Sequence, residues 1–139
     1  MDHLSQAQRS EMMARVRDRD TTPELRVRSI VHRLGYRFRL HRRDLPGTPD
    51  LVFPRLRRIV FVHGCFWHMH TCPRGRSTPT SNAAFWRVKR TGNVARDRLA
   101  RAQLRRAGWR VLTLWECQLK DESMVVRRLV AFLGKAKSA

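Results

Sequence analysis

Residues 58–72 read RIVFVHGCFWHMHTC. The first five form a β-branched and aromatic run, the composition of a strand covered on at least one face. The run then gives way to a turn holding Cys65, His68, His70 and Cys72, with a Phe66–Trp67 pair among them, where an ordinary core strand would continue in Val, Ile and Leu. A buried strand that ends in a chemically reactive turn is therefore the organising element, and its neighbours follow from it.

Upstream, LVF at 51–53 is a short apolar run that predicts a hairpin with 58–62, and YRFRL at 36–40 alternates as a half-solvated strand does. Before it, TTPELRVRSIVHRLG predicts a helix with Thr22 as N-cap, Pro23 at the first helical position, a stripe at Val27, Ile30, Val31 and Leu34, and Gly35 as terminator. Residues 5–17 predict a basic helix that dissolves into the charged link RVRDRDTT. Downstream, a helix starts after Asn82, is interrupted at Gly92, and continues as an Arg-rich helix to Gly108. WRVLTLWEC predicts a central strand, with Trp109 and Trp115 in the core, and DESMVVRRLVAFLG a capped final helix. Helices bracketing a mixed sheet give an α/β fold. With 139 residues, one domain is expected: a basic segment over 1–20 and a single folded domain over 21–139.

Lys and Arg number 30 against 11 acidic residues, a formal charge of +19, and 26 of the 30 are Arg. The planar guanidinium fork grips phosphate, so this excess points to nucleic acid as the partner; codon bias in a GC-rich genome is the alternative source of the Arg/Lys ratio but does not explain the net charge. The N-terminus has no signal peptide and no apolar run reaches the ~18 residues of a membrane span. A soluble intracellular protein is expected, with reduced thiols.

Cys65, His70 and Cys72 have the spacing C-x4-H-x-C, and Cys117 closes the strand 109–117. Three thiolates and an imidazole make a closed, structural zinc site; a buried Cys117 with incidental Cys65 and Cys72, or a Cys65–Cys72 disulfide, are the competing readings. His63 and His68 are left over for proton transfer or phosphate contact. Asp50, in GTPDLVF, is exposed by a Pro-Gly turn at the mouth of a strand, where many aspartates only cap a turn. A carboxylate and two histidines converging at one sheet edge of a phosphate-seeking protein suit metal-assisted phosphodiester hydrolysis. A zinc-stabilised nucleic-acid-binding protein without catalysis is the alternative. A His-Asn-His nuclease is hard to build, because Asn82 and Asn93 fall in helical sequence.

LPGTPDLVF, HGCFWHMHTC, FW…K…N…RD and GWRVLTLWEC, in that order across residues 9–133, resemble the very short patch repair (Vsr) DNA mismatch endonucleases. The resemblance implies a restriction-endonuclease-like fold with a structural zinc site. It implies a nicking enzyme that cuts the thymine strand 5′ of a T:G mismatch formed when 5-methylcytosine deaminates. Asp50 then matches the catalytic Mg2+ ligand, with the Val62 main-chain carbonyl as a second ligand. Glu24 matches an acid acting through water on the metal, His68 the general base, His63 a histidine near the scissile phosphate, and Asp97 a carboxylate beside His68. Cys65, His70, Cys72 and Cys117 match the Zn2+ ligands. Phe66, Trp67, Trp86 and Met13 match a wedge entering the DNA. The acid and lysine usual in the wider nuclease superfamily are replaced by Phe61-Val62-His63, and Met69 stands where some relatives carry His. Implied partners are double-stranded DNA with a T:G mismatch, a cytosine-5 DNA methyltransferase and MutL-type repair factors. A monomer acting in the bacterial cytoplasm is expected.

Overall fold

The structure, a computed structural model, describes residues 21–134. The helix expected over 5–17 and Met13 lie outside the described residues. The elements are α1 (Thr22–Arg33), β1 (Arg39–Leu40), β2 (Leu51–Phe53), β3 (Arg58–His63), α2 (Pro73–Arg76), α3 (Ala83–Arg106), β4 (Arg110–Trp115) and α4 (Glu122–Leu133). The four strands form one sheet in the order β1-β2-β3-β4, antiparallel except for the parallel pair β3–β4. A parallel neighbour needs a long crossover, and α3 lies within it.

The strands separate two apolar layers by alternation. Leu51, Phe53, Val60 and Val62 point toward Val27, Ile30 and Val31 of α1 and Val125, Leu129 and Leu133 of α4. Val52, Ile59 and Phe61 point the other way, onto Leu104 of α3 and Trp109. Because β3 is covered on both faces, its run is apolar without alternation. Gly47, with φ +77°, sits where a Cβ would come within 2.8 Å of the Ala100 Cβ, so the turn before Asp50 seats directly on α3.

The expected hairpin of 51–53 with 58–62 is present, with Leu51 opposite Val60. Other expectations are corrected. The cap of α1 is Thr21, whose hydroxyl accepts from the Glu24 N–H, so the helix starts one residue earlier than the Thr-Pro signal suggests. Only Arg39–Leu40 of YRFRL is strand; Tyr36 is buried and Phe38 packs its ring on Phe53 at 6.2 Å. Gly92 does not interrupt α3, which runs through it for 24 residues. A helical glycine costs about 1 kcal/mol relative to Ala, and the buried Arg90, Ala100 and Leu104 on either side hold the helix in place. Among the described residues β4 is an edge strand rather than a central one. Its only fully buried side chain is Leu114, and Trp115 is half-buried.

Candidate active site and candidate metal centre

The parallel register pairs His63 with Trp115. Two residues further along each chain stand Cys65 and Cys117, so the pairing brings two thiols distant in sequence out of the same end of the sheet. The Cys117 N–H donates to the Cys65 Sγ at 3.3 Å. His70 Nδ1 lies 3.8 Å from Cys65 Sγ and 3.4 Å from Cys117 Sγ, and Cys72 completes a group whose ligand atoms are all within 4.8 Å of one another. Zinc–ligand bonds of ~2.0–2.3 Å in a tetrahedron place neighbouring donors roughly 3.5–3.8 Å apart; the donor set and its spacing fit that ion. The cysteines are free thiols, not a Cys65–Cys72 disulfide. Burial pushes the Cys65 thiol up to about 12, whereas the Gly75 N–H draws Cys72 down to about 6. The His70 ring stacks on Trp115 at 4.2 Å. A Cβ on Gly75 would fall 1.9 Å from the His70 carbonyl oxygen, so the loop closes on itself only with glycine there.

At the same end of β3 a cleft of about 1150 Å³ opens, lined by Glu24, His41, Asp50, Val62, His63, Phe66, Trp67, His68 and Asp97, among others. Asp50 is not the exposed turn carboxylate expected from its Pro-Gly context. Its Oδ2 accepts the Val62 N–H at 2.6 Å, and burial, with the neighbouring negative charge of Glu24, holds its carboxyl well above the usual range. Glu24 is 3% exposed, inside the cleft wall rather than on the helix surface where a first-turn acid would merely complement the dipole. In the same cleft, His68 Nδ1 meets Asp97 Oδ2 at 2.6 Å, and the His68 and His63 rings stack at 3.9 Å and 5°. Among the described residues Asp97 is thus bonded to an imidazole and not to a surface arginine. Burial first, and the facing His68 second, push His63 down to about 3, so this ring is neutral near pH 7. Its Nδ1 is buried without a hydrogen-bond partner.

A family profile described as DNA mismatch endonuclease Vsr matches residues 1–74. The chain belongs to that family. It is 50% identical over 128 residues to the Type II nicking enzyme V.XorIIP of Xanthomonas oryzae pv. oryzae, covering 92% of this chain and 93% of that protein. It is 39% identical over 144 residues to the DNA mismatch endonuclease Vsr of Escherichia coli, covering 99% of this chain and 92% of the other.

Within this Vsr-family chain the fold gathers Asp50, Val62, Glu24, His63, His68 and Asp97 in one cleft and keeps Cys65, His70, Cys72 and Cys117 out of its lining. Phe66, Trp67 and Trp86 meet edge to face, with centroids 5.4–5.8 Å apart, and all three stay half-buried. Three participants escape sequence reasoning. Arg90 is buried and donates to the carbonyls of Phe66, Gly75 and Ser77 at 2.6–2.8 Å, with its guanidinium 4.2 Å from the Phe66 ring. Asn93 donates to the Trp67 carbonyl at 3.0 Å. His41 joins Glu24 and Asp50 in a group whose ligand atoms lie within 4.8 Å. Asn93 carries a sequence signal, its place in FW…K…N…RD; Arg90 is one arginine among 26, and His41 one histidine among six.

Proposed function

We propose that this chain is a strand-specific DNA endonuclease that nicks the thymine strand 5′ of a T:G mismatch arising from 5-methylcytosine deamination, with Mg2+ in catalysis and Zn2+ in structure. One observation carries the proposal: the buried Glu24 and Asp50 carboxylates, the Asp97–His68 pair and the Phe66 and Trp67 rings line the same cleft. Family membership and the net charge of +19 support it.

Each residue has a role that its geometry permits. With Nδ1–H donated to Asp97, His68 keeps its Nε2 lone pair to take a proton from the attacking water. His63, neutral and stacked against it, keeps the His68 ring from rotating. Asp50 and the Val62 carbonyl would hold the divalent cation, which supplies positive charge to the phosphate as negative charge grows there. No side-chain acid is needed at residue 62, since the main chain provides the second oxygen. The Phe66, Trp67 and Trp86 rings stack into a step that a mismatch makes cheaper to open. Arginines take the phosphates, which gives binding a steep salt dependence.

The four-stranded mixed sheet with helices on both faces supports a restriction-endonuclease-like fold. On this reading residues 21–139 form one catalytic domain, and 1–20, with Met13, form a DNA-contacting segment. The substrate implies a cytosine-5 methyltransferase in the same cell, and MutL-type factors follow as repair partners. No helix among the described residues is long and apolar enough to cross a membrane; a monomer acting on DNA in the bacterial cytoplasm is part of the reading. The test is strand-resolved nicking of T:G and T:A duplexes of one sequence, with Mg2+ or with a chelator. Nicking confined to the thymine strand of the T:G duplex, and only with Mg2+, supports the proposal; cleavage of both duplexes alike, or none, overturns it.

A further inference from the structure

Among the described residues, two donors meet one oxygen of Glu24. Arg28 Nη2, one turn along α1, lies 3.3 Å from its Oε2, and His41 Nε2, just beyond β1, lies 3.1 Å from it. Arg28 Nη2 and His41 Nε2 are themselves 3.2 Å apart, so the three atoms form a nearly equilateral triangle. A guanidinium only donates and a carboxylate only accepts. The buried carboxylate is the stronger acceptor, which assigns the proton of His41 to Nε2 and directs it at Glu24. The backbone of His41 is also unusual, with φ +46° in the left-handed region. A non-glycine residue there carries roughly 1–3 kcal/mol of strain, tolerated where surrounding contacts over-determine it. Here the strained turn brings the imidazole back over α1. Ligand atoms of Glu24, His41 and Asp50 all lie within 4.8 Å of one another.

We propose that His41 is a positioning residue of the cation site: with Arg28 it anchors one oxygen of Glu24 and keeps that carboxylate turned toward Asp50. The proposal rests on the reading of Asp50 as the holder of a divalent cation. Removing such an outer partner weakens metal binding or activity by roughly 10- to 100-fold in comparable sites. A glutamine at residue 41 can place an amide N–H where Nε2–H now sits, whereas leucine cannot.

The experiment uses Mn2+ as probe, its binding to the DNA-free protein read by electron paramagnetic resonance, beside steady-state nicking of a T:G duplex in Mg2+. His41→Leu is expected to weaken Mn2+ binding and lower kcat by roughly 10- to 100-fold, with KM for DNA changed by no more than about twofold, and His41→Gln to recover most of both. Circular dichroism checks folding; if the leucine variant is unfolded, His41→Asn, whose amide is too short to reach Glu24, replaces it. Unchanged Mn2+ affinity in the leucine or asparagine variant, or a glutamine variant as weak as they are, overturns the role of His41. Asp50→Ala separates the two levels: if it binds Mn2+ as tightly as the unaltered protein, the cation reading fails as well, whereas if it alone loses Mn2+, only the His41 proposal falls.

Discussion

Two groups of metal-competent side chains stand at the same end of β3, and they are built differently. Cys65, His70, Cys72 and Cys117 close on one another behind Trp115 and contribute nothing to the cleft lining. Glu24, Asp50, His68 and Asp97 line an open space of about 1150 Å³. The first arrangement satisfies its members internally. The second leaves carboxylates crowded and a buried His63 nitrogen without a partner, which destabilises the isolated protein. The contrast separates a cluster closed on itself from one that opens onto a cleft.

The largest expected effect comes from relieving that crowding. The Asp50 carboxyl is raised above its unfolded value, so at neutral pH its ionised form costs folding free energy. Asp50→Asn is expected to lower nicking by at least on the order of 10³-fold while raising the thermal midpoint of the metal-free protein, as calorimetry would show. A lower midpoint would mean that the carboxylate is structural. His68→Ala is expected to reduce kcat by roughly 10² to 10⁴ with DNA affinity unchanged in a filter-binding assay; parallel loss of binding would assign it a structural role. The closed cluster predicts the reverse pattern. Cys117→Ser should release zinc, counted by atomic absorption, and lower stability by at least about 3 kcal/mol, a fraction of what structural zinc sites contribute. A purified protein without zinc would break the contrast.

How far the sequence reveals these two regions depends on the range of the interactions involved. RIVFV is legible because a strand buried on both faces must be apolar throughout, and TTPEL because a cap is a local contact. The sheet-edge position of β4 is not legible, since strand order is set by partners dozens of residues away. Gly92 misleads because its local cost of about 1 kcal/mol is outweighed by tertiary contacts. The zinc-type donors and Asp50 stand out as rare residues in motifs. His41 and Arg90 do not: each acts through one particular juxtaposition, His41 on Glu24 and Arg90 on the Phe66–Ser77 loop, and neither occupies a position that composition or periodicity marks.

Two smaller effects sharpen the comparison. Folded His63 titrates at about 3, below the ~6.5 of an unfolded histidine, so protons bind the unfolded chain more tightly. Its contribution is intact above pH ~6.5 and the native state loses stability as pH falls from there toward 3. Relative to His63→Asn, the unaltered protein should therefore lose about 1–3 kcal/mol between pH 6.5 and 4.5 in urea titrations; parallel curves would mean that the ring is not held neutral. Phe66→Ala should narrow discrimination between T:G and T:A duplexes by roughly 1–3 kcal/mol, the size of one base–aromatic stack, as measured by competitive nicking. Unchanged discrimination would make the ring simple packing for Arg90.

The most direct test is anomalous diffraction from crystals of the protein with a T:G duplex, grown with Mn2+ and measured at the manganese and zinc edges. The account predicts a manganese peak bounded by the Asp50 carboxylate and the Val62 carbonyl, beside the phosphate 5′ of the mismatched thymine, and a separate zinc peak among Cys65, His70, Cys72 and Cys117. A duplex bound with its phosphates remote from Asp50, or manganese absent from that carboxylate, would contradict it.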